Sequence, residues 1–181
     1  MAPARLVSVL ASRASLLGRH SWNHSLVSPD GALELRRGAE SDASALAHLR
    51  FTWRSDEGAE RGLDRAAFEV SLRDWIEQHR SSHIPFLAFR GALPIGMTWM
   101  ALVDRIPGPE HFVRRSAYIQ STYVAQPERA RGVGTALVRL LVAHARELHL
   151  DYLAVHPSER AFDLYRRLGF AETGRVLELR L

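Results

Sequence analysis

Apolar positions along the chain switch repeatedly between a period of two and a period near 3.6, and that switching predicts interleaved strands and helices. Leu33 to Arg37 alternates as a short strand. Ser41-Asp42 is placed to cap a helix carrying Leu46, Leu49 and Trp53 on one face. A charged loop is expected from Ser55 to Gly62. A second helix follows from Asp64 to about His79, with Phe68, Val70, Leu72, Trp75 and Ile76. Ile84–Phe89 and Ile95–Val103 read as two strands joined by a turn at Gly91 to Pro94. Ile106 to Pro109 is a loop, and Ala117–Val124 a strand rich in β-branched and aromatic residues.

Beyond that strand, Val133, Leu137, Leu140, Leu141, His144 and Leu148 recur at steps of three and four, as on one helix face. Tyr152–Val155 is a short apolar strand. Ala161, Leu164, Tyr165 and Leu168 share the face of a compact helix, and Gly169 stands where a terminating glycine belongs. Phe170 is expected to begin another strand, and Val176–Leu181 alternates again. The order predicts an α/β fold with a mixed sheet, in one domain over residues 31–181.

Residues 1–30 differ from the rest. They carry Arg5, Arg13 and Arg19 and no acid before Asp30, and they show no clean apolar core or cleavage site of a signal. They are read as an extension outside the folded core. Composition narrows the chemistry. Cysteine is absent, so disulfides, thiolate nucleophiles and Cys-based metal sites are excluded. Every basic residue is Arg, which removes Schiff-base chemistry and a P-loop lysine. Net charge is +4, enough to suit an anionic ligand but mild for nucleic acid. No apolar run is long enough to span a membrane. The pairs His20/His24 and His79/His83 have helical metal-ligand spacing, but no third ligand accompanies them, so no metal site is expected. Arg114-Arg115 and Arg166-Arg167 lack interleaved aromatics for stacking bases.

The informative stretch runs from Tyr123 to Thr135, Tyr-Val-Ala-Gln-Pro-Glu-Arg-Ala-Arg-Gly-Val-Gly-Thr. A strand ends, the chain turns at Pro127, and a helix starts near Gly132. Gly132 and Gly134 lack Cβ atoms, so backbone amides at the helix start can approach an anion closely. Those amides have no partner within the helix, and the macrodipole adds roughly half a positive charge there. A pyrophosphate suits such a site, and Arg129 and Arg131 add charge beside it. A dinucleotide fingerprint would need a third glycine where Leu137 stands.

This stretch, together with a second one, resembles the GNAT superfamily of acyl-CoA-dependent N-acyltransferases. Val124 followed by Arg129-Ala-Arg-Gly132-Val-Gly134 is similar to the family's phosphate-binding signature. Val155-His-Pro-Ser158, Ala161, Leu164-Tyr165 and Gly169-Phe170 are similar to its second motif. The resemblance is specific across residues 117–172. It implies a mixed, mostly antiparallel central sheet flanked by helices, and acetyl-CoA as co-substrate. It also implies that the Val124 backbone pairs with the pantetheine arm, and that amides from Arg131 through Gly132, Val133 and Gly134 to Thr135 hold the pyrophosphate. Arg129 and Arg131 would reach toward the phosphates. Ser158 stands where many members have Asn, and Tyr165 matches the tyrosine beside the coenzyme sulfur.

The implied reaction is direct attack of an amine on the acetyl thioester, with the Val124 amide donating to the oxyanion and Tyr165 protonating the departing sulfur. The base that frees the amine is not named by the sequence. Some members have a Glu on the central strand where this chain has Tyr118, so Asp56, Glu57, Asp104 and His111 are the candidates. Asp56, Glu57 and Glu60 could attract a cationic amine to the loop after the first helix. The acceptor is a small-molecule or peptide amine, in a cytoplasmic protein, with a homodimer left open. A CoA-binding domain without turnover, or an acyltransferase acting on a protein- or RNA-borne amine, remains an alternative.

Overall fold

A computed structural model describes residues 32–58, 62, 64–174 and 179. The reading of residues 1–30 as an extension and the alternation from Val176 therefore lie outside the described residues. Among the described residues five strands are formed: β1 (Leu33–Arg37), β2 (His83–Arg90), β3 (Leu93–Asp104), β4 (Arg115–Val124) and β5 (Leu153–Val155). Four helices accompany them: α1 (Ala43–Asp56), α2 (Arg65–His79), α3 (Val133–Glu147) and α4 (Glu159–Arg167). The sheet order is β1-β2-β3-β4-β5. The first three pairings are antiparallel and β4–β5 is parallel, so the mixed, mostly antiparallel sheet expected from the sequence is the observed one.

β2 is buried from Ile84 to Phe89 and β3 from Ile95 to Ala101 because helices cover both faces of the sheet. On one face, Ile84, Phe86, Ala88 and Met100 pack with Val133, Leu137 and Leu141 of α3. On the other, Leu87, Met97 and Trp99 pack with Leu46 and Leu49 of α1 and Ile76 of α2. The alternation of Phe86 and Ala88 against Leu87 and Phe89 sends neighbouring side chains into opposite cores.

Three local expectations change. The helix after β1 starts beside Asp42 as predicted, but the Asp42 carboxylate does not cap it. It turns back to accept from the Ala39 amide at 2.9 Å and from both terminal nitrogens of Arg36 at 2.7 and 2.6 Å. A charge-assisted fork is worth more than one helix-cap bond, so Arg36 takes the acid. The expected loop from Ser55 begins later, because Ser55 and Asp56 complete the last turn of α1. Phe170 does not begin a strand, and residues 170–173 are irregular. The Phe170 amide donates to the Tyr165 carbonyl at 3.1 Å and the Gly169 amide to the Arg166 carbonyl at 3.0 Å, with Gly169 at φ 91°. This is a Schellman closure of α4, and the Phe170 ring packs edge-on against Tyr165 at 5.4 Å. Phe170 is consumed in ending the helix.

Candidate active site

The site begins with a β-bulge. Between the pairs Trp99↔Gln120 and Met97↔Tyr123, two residues of β4, Ser121 and Thr122, stand opposite the single residue Thr98. Ser121 takes φ 54°, a left-handed conformation uncommon for a residue with a side chain. β5 pairs with β4 only at residues 117–119. Past the bulge, no described strand pairs with Thr122–Val124 on the β5 side. The Ala125 amide donates to the Ile95 carbonyl at 2.9 Å, which places residue 125 in a hydrogen-bonded pair with β3. By the alternation of an antiparallel ladder, the N–H and C=O of Val124 point away from β3, into the opening.

The turn that follows is braced from within. Arg129 donates Nε to the Val124 carbonyl at 2.9 Å and Nη2 to Asp56 Oδ2 at 2.8 Å. Asp56 also accepts from the Tyr123 hydroxyl at 2.9 Å. Burial, then the bond to Asp56, pushes the Tyr123 phenol up to about 12. Arg90 grips the Glu128 carboxylate with two bonds of 3.0 and 2.7 Å. The Arg129 guanidinium thus ties α1, β4 and the turn together through Nε and Nη2. Arg131 does stand exposed, its nearest carboxylate being Glu128 at 3.8 Å.

Ala130 (φ 60°) and Gly132 (φ 82°) are both left-handed, an alternation that gathers successive amides into a concave nest. The amides of Ala130, Arg131 and Gly132 find no acceptor among the described residues. Gly132 is the N-cap of α3 and offers no side chain to its first turn, so the leading amides of Val133, Gly134 and Thr135 are likewise uncapped, and that turn holds no acid. A cradle of this kind fits a pyrophosphate. The two glycines serve it differently. A Cβ on Gly132 would touch nothing within 4 Å, so its demand is conformational; a Cβ on Gly134 would meet Leu164 Cδ1 at 3.2 Å and Val124 Cγ2 at 3.6 Å, so its demand is close packing of α3 between β4 and α4.

Tyr165 reaches the same end of β4. It is 4% exposed. Its hydroxyl donates to Thr122 Oγ1 at 3.0 Å, and Thr122 in turn shares a 2.7 Å bond with the wholly buried Thr98 hydroxyl. Burial pushes the Tyr165 phenol up, against a smaller opposite pull from Thr122. Tyr165 lies on the wall of a cleft of about 920 Å³ between β5, α4 and residues 170–174. Ser158 sits at the N-cap position of α4, exposed, and its hydroxyl makes no capping bond.

A second cavity, of about 390 Å³, lies between α1, α2 and the bulged end of β3 and β4. Its walls include Arg50, Trp75, His83, Trp99, Gln120 and Ser121. Arg50 donates to Ser121 Oγ at 2.8 Å. The acids expected near an acceptor do not line this cavity. Asp56 is held by Tyr123 and Arg129, and Glu57 by Trp53 Nε1 at 2.6 Å and Arg54 at 3.2 Å. Glu60 lies outside the described residues. Asp104 pairs with Arg115 at the far end of β3, and His111 is exposed in the loop after it. Tyr118 is on β4 but faces the larger cleft.

His79 and His83 are not on one helix: His79 ends α2 and His83 opens β2, with their rings 5.7 Å apart. Burial, then His79, lowers the pKa of His83. Among the described residues no three His, Asp or Glu gather as a metal would need. None of the described helices is long and apolar enough to cross a membrane. No sequence motif marks Arg50 as a site residue. Its one signal is position: it falls four residues after Leu46, beside the apolar stripe of α1, where a charge has to be accounted for.

Over residues 45–170 the chain matches the family model described as acetyltransferase (GNAT) family. Among curated proteins no match is found. Solved structures share the fold. A predicted acetyltransferase with acetyl-CoA from Clostridium acetobutylicum aligns with TM-score 0.67 at 23% identity, over 82% of this chain and 96% of that one. An acetyltransferase of Trypanosoma brucei aligns with TM-score 0.65 at 22% identity, over 82% and 99%. An aminoglycoside acetyltransferase from an uncultured soil metagenomic sample aligns with TM-score 0.66 at 20% identity, over 83% and 97%.

Proposed function

The chain belongs to the acetyltransferase (GNAT) family, and from that premise we propose that it moves the acetyl group of acetyl-CoA to a primary amine by direct attack. One observation carries this reading. The unpaired amides from Ala130 onward, the outward-turned Val124 backbone and the Tyr165 hydroxyl all meet where β4 leaves β5.

In this reading the amides of Arg131, Gly132, Val133, Gly134 and Thr135 hold the pyrophosphate, with Arg131 adding charge at the rim. Arg129 already occupies the Val124 carbonyl, so the amide of Val124 is the group left to meet the acyl end of the substrate. It donates to the thioester oxygen as negative charge builds there. The amine nitrogen forms the new C–N bond, the C–S bond breaks, and the electron pair goes to sulfur. Nitrogen loses one proton and sulfur gains one, so the products are the acetamide and free coenzyme thiol.

Tyr165 supplies the hydrogen bond to that sulfur. Reference values of about 8.5 for a thiol and about 10 for a phenol make full transfer from Tyr165 uphill by roughly 2 kcal/mol. Burial raises that gap. The phenol therefore shares its proton with the sulfur as the C–S bond stretches and remains neutral at pH 7. The Ser158 hydroxyl makes no capping bond, and its contribution to the pantetheine arm is what an exposed hydroxyl can donate.

The amine must attack as the free base. For an amine of pKa about 10.4, deprotonation at pH 7 costs roughly 4.6 kcal/mol. His83, its pKa lowered by burial and then by His79, lines the smaller cavity and is the base we assign to the proton that the nitrogen sheds as it becomes acidic on attack.

The test is thiol release from acetyl-CoA across a panel of amines, with coenzyme binding followed in parallel by calorimetry. Release with at least one amine is expected. Coenzyme binding without release for every acceptor would favour a binding domain that has no turnover.

A further inference from the structure

The smaller cavity carries a charge that acetyl transfer does not itself require. At about 390 Å³ it falls at the low end of small-molecule sites, which run from roughly 300 to 1,000 Å³. Phe68, Trp75 and Trp99 give it an aromatic wall, and no carboxylate lines it. Arg50 is its one permanent charge. The guanidinium is half-buried, lies 5.3 Å over the Trp53 ring and spends one donor on Ser121 Oγ at 2.8 Å. No described acid comes within ion-pairing distance of it. A guanidinium has five N–H donors, so Arg50 keeps spare ones. Burial, then Arg54, lowers its pKa, with Glu57 opposing, yet an arginine stays charged at neutral pH. A partly desolvated cation with spare donors and no counter-ion is unfavourable until an anion joins it.

We propose that the acceptor is a small amine bearing its own carboxylate, which Arg50 receives in a two-bond fork while an apolar body rests among Phe68, Trp75 and Trp99. The proposal rests on the acetyl-transfer reading for what happens to the amine, and on the cavity alone for what binds. Placement bears on the spacing of the two groups. Arg50 bonds to Ser121, and the next residue, Thr122, holds the Tyr165 hydroxyl assigned to the leaving sulfur. Anchors on neighbouring residues of β4 favour an acceptor whose carboxylate and amine lie close together, as in an amino acid with an apolar side chain. A polycationic amino sugar meets the wrong charge here, although three structures of this fold belong to aminoglycoside acetyltransferases.

The experiment compares leucine, methionine and phenylalanine with the amines left when each loses its carboxylate. Binding is read from the tryptophan fluorescence of the coenzyme A-loaded protein, so no turnover is needed. Each acid is expected to bind at least 10-fold tighter than its amine. Arg50→Gln should remove that difference by weakening the acids alone, and Arg50→Lys should restore part of it. Unchanged coenzyme affinity in both variants shows that they fold. Equal or tighter binding of the amines, no saturable binding by any acid, or an unchanged ratio in Arg50→Gln would each overturn the proposal. Thiol release is then followed with the same six compounds. Discrimination in binding without release would sink the transfer reading and leave Arg50 as an anion receptor; release that ignores the carboxylate would do the reverse.

Discussion

Replacing Tyr165 by Phe separates what this side chain does for the fold from what it does for the reaction. The change removes one oxygen from a ring that is 4% exposed and keeps the ring's contact with Phe170. The lost bond to Thr122 Oγ1 spans 3.0 Å, and a bond of that kind nets about 0.5–1.5 kcal/mol. Thr122 is not orphaned, because the Thr98 hydroxyl stays 2.7 Å away. The stability loss should therefore be about 1 kcal/mol. A proton donor to a departing group contributes about 10²–10⁴-fold, which is roughly 2.7–5.4 kcal/mol of barrier. Steady-state thiol release at saturating acetyl-CoA and amine should fall at least 10²-fold, while calorimetric coenzyme affinity and the urea midpoint move little. Thr122→Val is the counterpart. It strands the wholly buried Thr98 hydroxyl and should cost about 1–3 kcal/mol of stability, with a smaller loss of rate because the phenol survives. If Tyr165→Phe turns over within two-fold of the parent protein, the phenol is not the donor and Tyr165 is a core aromatic.

The two glycines of the cradle should fail in different ways. Gly132→Ala forces φ 82° on a residue with a Cβ, costing roughly 1–2 kcal/mol in urea denaturation and several-fold in coenzyme affinity, without a clash. Gly134→Val drives side-chain atoms into Leu164 Cδ1, already 3.2 Å from an ideal Cβ, and α4 carries Tyr165, so kcat should fall along with affinity. Above pH 10 the unfolded chain ionises tyrosine while folded Tyr123 keeps its proton until about 12. Stability that is complete below pH 10 should decline steadily to about pH 12, and chemical denaturation of Tyr123→Phe should show a shallower decline over that window.

How far the sequence could be read depended on how local each feature is. The strand pattern of β2 and β3 and the helical period of α3 are carried by consecutive residues, so elements and sheet class were legible. Phe170 misled because an apolar residue after a terminal glycine reads the same whether it opens a strand or closes a Schellman motif. Only the partner of its amide, the Tyr165 carbonyl, distinguishes the two. Asp42 misled for a related reason. A cap position was visible, but the bidentate competitor Arg36 comes from β1, six residues away and across a turn.

The two halves of the site differ in the same respect. The proposed coenzyme side is assembled from Val124 to Thr135 and Ser158 to Tyr165, two short stretches whose spacing is visible in the sequence. The cavity proposed for the acceptor draws Arg50 from α1, Trp75 from α2, His83 from β2, Trp99 from β3 and Ser121 from β4, one element at a time. Acids near in sequence, such as Asp56 and Glu57, looked available and are in fact engaged by Arg129 and Trp53. The bulge at Ser121 joins the halves: it turns the end of β4 out of the ladder with β5, brings the Ser121 hydroxyl to Arg50 and leaves the next residue to hold Tyr165. On this proposal coenzyme chemistry can be common to a family while the acceptor changes, because the residues assigned to the acceptor are scattered singly over elements whose main duty is the core.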